Sequence, residues 1–163
     1  MMKSTEVFNA QEFSEMEGIL TRYDEPASAI LPLLHYIQGV QGHLSEEALT
    51  FVAEFIGVPH VRTFEVATYY TMLFTEPVGR HLVQVCRNLS CHVNGAEDIL
   101  QALKRKLDID VGATTSDGIF TLVEVECIGA CDHAPAVMVD GDLHRSVTVD
   151  SVDRILSSYR EKI

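Results

Sequence analysis

Phe120-Thr-Leu-Val-Glu-Val-Glu-Cys127-Ile-Gly-Ala-Cys131 sets the reading of this chain. Its first part is enriched in β-branched and apolar residues, as a short strand requires. The strand runs into a loop with three residues between its two cysteines. The same design stands upstream. His81-Leu-Val-Gln-Val-Cys86-Arg-Asn-Leu-Ser-Cys91 is again a short strand ending on a cysteine, with four residues before the next one. Between the two stretches, Ile99, Leu100, Leu103 and Leu107 repeat at helical spacing and predict a helix over Ala96 to Leu107. A right-handed crossover through that helix makes the two strands parallel. If they are also neighbours in a sheet, both cysteine loops leave the same end and four thiols converge.

Working outward, Val111 to Gly118 reads as a polar loop, and Asp140-Gly141 is a hairpin dipeptide between short strands over Ala136 to Asp140 and Leu143 to Val147. Asp150 is placed to cap a last helix carrying Val152, Ile155, Leu156 and Tyr159. The order β-α-β-β-β-α is the outline of a thioredoxin-like α/β sandwich. Upstream of Pro77 and Gly79 the period changes. Asn9 and Glu12 resemble a capping pair ahead of Phe13, Met16, Ile19, Leu20 and Tyr23, a helix expected to stop at Pro26. A second helix holds Ile30, Leu33, Leu34 and Ile37, with Pro32 calling for a kink or a later start. Ser45 is placed to cap a third and Thr63 a fourth. The expected organisation is α+β and α/β: an N-terminal helical bundle over residues 1–78 and a second domain over residues 79–163.

The chain has 163 residues, 47% of them hydrophobic, enough for a real core. Its net charge of −12 repels nucleic-acid phosphate and anionic lipid. No apolar run reaches the length of a bilayer span, and MMKSTEVFNAQEF contains no signal-peptide-like run. The expectation is a soluble intracellular chain with no nucleic-acid partner and no direct membrane insertion. In a reducing compartment, paired cysteines point to a metal or redox site rather than to disulfides. Four thiolates in one place repel one another unless a metal centre joins them. A [2Fe–2S] cluster takes four cysteinates. A structural zinc site also takes four, and the spacings here allow it. A C-x-x-C redox pair is absent. Gly129 permits close backbone approach to such a centre, and Pro135 stiffens the exit from its loop. His92, Asp132 and His133 lie next to the cysteines and read as loop-rim polar residues rather than as ligands or a catalytic dyad.

The stretches Val85-Cys-Arg-Asn-Leu-Ser-Cys91, Gly95-Ala-Glu-Asp-Ile-Leu100, Gly118-Ile-Phe-Thr-Leu122 and Val125-Glu-Cys-Ile-Gly-Ala-Cys131 with Ala134-Pro135 resemble the thioredoxin-like [2Fe–2S] ferredoxins. More narrowly, they resemble the E-type subunits of NADH–quinone oxidoreductase, respiratory complex I. Ser28-Ala-Ile-Leu-Pro-Leu-Leu-His-Tyr-Ile-Gln38, Gly42-His-Leu-Ser45 and Phe64-Glu-Val-Ala-Thr-Tyr-Tyr-Thr-Met72 are similar to that family's helical region.

The resemblance implies one [2Fe–2S] cluster on Cys86, Cys91, Cys127 and Cys131, storing or tuning single electrons. It implies no catalytic residue and no NADH or flavin site in this chain, consistent with the lack of a G-x-G-x-x-G motif or phosphate loop. FMN and NADH belong to an F-type partner, the FMN- and NADH-binding subunit of the same complex, and further iron–sulfur subunits complete the peripheral arm. The implied location is the cytoplasmic or matrix-equivalent side, peripheral to the inner membrane. NAD-linked hydrogenases and formate dehydrogenases use similar subunits and are the alternative hosts; a zinc module is the third reading. Docking is expected through part of Tyr69–Phe74 or through the face near the cysteine loops. Glu124, Glu126 and Asp132 are expected to hold the cluster potential low. Many relatives carry proline where this chain has Ser90, which implies altered hydrogen bonding at the cluster and an altered potential.

Overall fold

Asn9 opens the first helix, α1 (Ala10–Leu20), with a reciprocal cap. Its side chain accepts from the Gln11 and Glu12 amides while the Glu12 carboxylate takes the Asn9 amide at 2.8 Å. The helix ends at Leu20, before Tyr23 and Pro26. Tyr23 is therefore exposed, where its spacing assigns it to the apolar stripe. A 3-10 turn over Pro26–Ala29 leads into α2 (Ile30–Gln41). Pro32 falls in the first turn, where an amide has no intrahelical partner, so the helix accepts it. Gly42 closes α2 in the left-handed region. Ser45 caps α3 (Glu46–Ile56), its hydroxyl accepting the Ala48 amide at 3.2 Å.

Thr63 is not a cap. Helix α4 (His60–Tyr69) begins behind Pro59, whose restricted backbone suits a helix start. Thr63 lies inside α4, fully buried, and its hydroxyl donates to the Leu49 and His60 carbonyls at 3.0 and 2.8 Å. The side chain expected at a terminus thus ties α4 to α3. Met16, Leu33, Leu34, Ile37, Leu49 and Val52 form the core of this half. Leu73 joins it, while Tyr69 and Met72 are exposed.

The chain separates into two compact units, residues 1–77 and 78–163. The structure is a computed structural model that describes residues 8–160. Residues 1–7, part of the N-terminal stretch that lacks a signal-like run, and residues 161–163 lie outside the described residues.

The second unit is built on a four-stranded sheet. Strands β1 (His81–Cys86) and β2 (Phe120–Val125) pair in parallel, with Cys86 opposite Val125. Strands β3 (Val137–Val139) and β4 (Asp142–His144) form an antiparallel hairpin, giving the order β2-β1-β3-β4. Asp140 and Gly141 both take positive φ at the turn, as a two-residue hairpin of this type demands. The hairpin strands are shorter than the sequence suggests. The Ser146 and Val147 amides turn away to the His133 and Pro135 carbonyls instead of extending the ladder.

A short helix, α5 (Leu89–Val93), follows β1, and α6 (Ala96–Leu107) makes the crossover. The last helix, α7 (Val152–Arg160), is entered through a 3-10 turn over Val149–Ser151. Thr148, not Asp150, caps that entrance, sharing a reciprocal pair of hydrogen bonds with Ser151. Val83, Val85, Phe120, Leu122, Leu103 and Leu156 share the core between the sheet, α6 and α7.

Candidate metal centre

Parallel pairing carries both cysteine loops to the same end of the sheet. Cys86 is the last residue of β1. Cys91 sits in α5, where the Asn88 side chain caps by accepting the Leu89 amide at 2.9 Å. Cys127 lies two residues past β2 rather than on its end, because the ladder stops where the Arg87 amide meets the Val125 carbonyl. Cys131 opens a 3-10 turn over Cys131–His133. Gly129, between the last two cysteines, has φ +81°, a conformation that side chains resist. Its amide points at the Cys127 sulfur from 3.4 Å.

All four thiols meet. Cys86 is within hydrogen-bonding contact of both Cys91 and Cys127, and the Cys127 and Cys131 sulfurs are 3.6 Å apart. The Cys86 thiol also reaches the Glu126 carbonyl at 3.2 Å. Cys86 and Cys91 are buried among Ala96, Ala130 and Ala136, whereas Cys127 and Cys131 are exposed. Burial pushes the Cys86 thiol up, but the Ile128 and Asn88 amides and its two thiol neighbours outweigh it and hold it below the ordinary thiol range. Cys91 is pushed above that range, by burial first and then by Cys86, against the pull of the Ala136 amide. Cys131 is raised by its hydrogen bond to Cys127 and the charge there, with a further contribution from Asp132.

These residues fit an iron–sulfur cluster. Backbone amides of Asn88, Ile128, Gly129 and Ala136 are directed at sulfur, the donors that ligating thiolates call for. The four thiols contact one another in series, Cys91 to Cys86, Cys86 to Cys127 and Cys127 to Cys131, and a two-iron cluster takes four cysteinates, two on each iron. His92 and His133 are exposed outside the thiol contacts, and His133 lies 3.5 Å from the Asp132 carboxylate.

Several pairings around the thiols escape a reading of the sequence. The Arg87 guanidinium pairs with the Glu126 carboxylate across the two loops. The Ser90 hydroxyl bonds to the Cys131 carbonyl, and the Ala136 amide serves Cys91. None of these pairs has a sequence signal, since each joins residues about 40 positions apart through the sheet. Helix α5 is too short for periodicity to reveal it.

Comparisons with known proteins agree with this geometry. A family profile described as thioredoxin-like [2Fe–2S] ferredoxin matches residues 16–160. The E-type subunit of the NADH-quinone oxidoreductase of Pseudomonas aeruginosa is 37% identical over 153 residues, covering 94% of this chain and 92% of the relative. The E-type subunit numbered 2 of the Rhizobium meliloti NADH-quinone oxidoreductase is 43% identical over 146 residues, covering 90% and 87%. In the crystal structure of an NAD+-reducing [NiFe]-hydrogenase, 23% of one chain superposes on 80% of this one with a TM-score of 0.69 at 21% identity, a likeness of fold. The chain belongs to the thioredoxin-like [2Fe–2S] ferredoxin family.

Proposed function

We propose that Cys86, Cys91, Cys127 and Cys131 hold one [2Fe–2S] cluster, and that the chain is a non-catalytic electron-transfer subunit of an NADH:quinone oxidoreductase. The observation that carries this reading is the meeting of all four thiols at one end of the sheet in a chain of this family. A cluster of this kind takes up and returns one electron at a time. The chain's own residues bind and orient it. Backbone amides neutralise sulfur charge, the alanine shell excludes water from Cys86 and Cys91, and the Gly129 turn brings the second loop close. Domain 79–163 carries all four ligands, and the helical domain 1–78 carries none.

The partner is the FMN-bearing, NADH-oxidising subunit of the complex, with further iron–sulfur subunits beyond it. Leu89 and Val93, 74% and 69% exposed on the short helix that carries Cys91, supply an apolar contact beside the centre. Among the described residues no helix is long and apolar enough to cross a membrane. Through its partners in the complex, the chain is peripheral to the inner membrane on the cytoplasmic or matrix-equivalent side. An NAD-linked hydrogenase is the second host, sharing the fold. Relatives at 36–43% identity carry the quinone-oxidoreductase name, which favours the first.

The test is anaerobic purification followed by counts of iron, sulfide and zinc, with visible and EPR spectra before and after dithionite. Two irons and two sulfides per chain with a rhombic signal on reduction are expected. Colourless protein with one zinc and no sulfide would overturn the electron-transfer role.

A further inference from the structure

Strand pairing ties the inner ends of the two cysteine loops. The Arg87 amide meets the Val125 carbonyl at 3.0 Å, and the Arg87–Glu126 ion pair and the Cys86 contact to the Glu126 carbonyl lie just beyond. The outer ends, which carry Cys91 and Cys131, lie past this region. There the Ser90 hydroxyl donates to the Cys131 carbonyl oxygen at 2.9 Å across 41 positions of sequence. Among the hydrogen bonds of the described residues, it alone joins helix α5 to the Cys131–His133 turn. Ser90 is itself held, since Asn94 Nδ2 donates to its carbonyl at 2.7 Å and Asn88 caps the helix in front of it. The hydroxyl is directed at the neighbouring loop's backbone and not at a sulfur.

We propose that Ser90 is a positioning residue whose hydroxyl latches the Cys131 turn onto the Cys91 helix and so retains the iron–sulfur centre. The proposal rests on the ligand assignment above. Once iron leaves the sulfurs the centre no longer joins the two loops, and at their outer ends this hydrogen bond is then the direct link between α5 and the Cys131–His133 turn among the described residues. Water competes for a half-buried hydroxyl, so the latch acts on how fast the loops part more than on whether they close. Its loss therefore shows as faster release of iron, with the ligand set unchanged.

The experiment compares wild type, Ser90→Ala and Ser90→Thr as full chains. Iron loss to a ferrous chelator is followed by visible bleaching, and amide exchange over Cys131–His133 is measured on loaded and iron-free protein. Ser90→Ala is expected to bleach about five- to tenfold faster, the effect of one lost hydrogen bond, with faster exchange in the turn in both forms. Ser90→Thr, which keeps the hydroxyl, stays near wild type. Wild-type rates of bleaching and of turn exchange in Ser90→Ala would overturn the latch. Wild-type protein that takes up no iron overturns the ligand assignment instead, and exchange in the iron-free chain then decides separately whether the turn is latched.

Discussion

Cys86 and Cys91 are 2% and 1% exposed within a shell of alanines, while Cys127 and Cys131 stand exposed on a loop that turns at Gly129. The first pair hangs on a strand end and a capped helix; the second hangs on a loop past β2 and on a 3-10 turn. Two pairs with nearly equal spacing thus face opposite solvation. Burial disfavours thiolate charge, so the inner pair depends on directed amides and cannot exchange its ligands with water. The outer pair is screened by solvent and can shift. On the proposed ligand set, the buried pair is expected to hold the centre most rigidly and the exposed pair to tolerate change.

Exchanging cysteine for serine tests this asymmetry most severely. Cys86→Ser and Cys91→Ser are expected to abolish iron binding, because a hydroxyl in the buried shell neither matches thiolate softness nor has room to move. Cys127→Ser and Cys131→Ser should retain a centre with shifted visible and EPR spectra. Equal loss from all four positions, read by iron content, would break the comparison. Next in size is the contact face. Leu89→Asp with Val93→Asp should lower co-purification with the NADH-oxidising subunit at least about tenfold, as desolvating two new carboxylates at an interface costs well above 1 kcal/mol. Iron content should stay at the wild-type level. Intact assembly would move the docking surface elsewhere.

Charge near the outer pair gives a smaller effect. Asp132 raises the Cys131 thiol, whereas Glu126 is already paired with Arg87. Asp132→Asn should raise the reduction potential by on the order of tens of millivolts, and Glu126→Gln by less. A redox titration showing the reverse order would mean that the ion pair does not offset Glu126.

The smallest change is a control at the far end of the sheet. Tyr159 is pushed up to about 12 by burial, by its hydrogen bond to Asp142 and by the charge of Asp140. The folded chain keeps that proton where the unfolded chain, with a tyrosine pKa of about 10, loses it. This stabilisation is complete below that pH and is lost as pH rises towards 12. Tyr159→Phe should flatten the alkaline fall in urea stability, and it costs about 1 kcal/mol at neutral pH for the lost hydrogen bond. Iron content should not change at either pH.

Much of the architecture was legible because it rests on local rules. The Asn9–Glu12 box, the Ser45 cap, the apolar repeat over Ala96–Leu107 and the Asp140-Gly141 turn each need only neighbours in sequence. The failures share a cause. Thr63 and Asp150 are good capping residues, yet α4 starts behind Pro59 with no side-chain cap, Thr148 takes the capping role ahead of α7, and the packing of α4 against α3 turned Thr63 into a buried link. Propensity ranks residue types, but tertiary contacts choose among them. Similarly, the β-branched run reads through to Cys127, yet β2 ends at Val125 where its partner strand ends.

The sequence by itself determined that four cysteines fall in two close pairs, each at the end of a strand, joined by a crossover helix, because spacing and periodicity are properties of the chain alone. Only the tertiary structure decided that one pair is buried and the other exposed, which amides face the sulfurs, and that Ser90 meets the Cys131 carbonyl. Those outcomes depend on residues about 40 positions apart brought together by parallel strand pairing. A hydroxyl or an amide carries no mark in sequence of the partner that a sheet will place beside it.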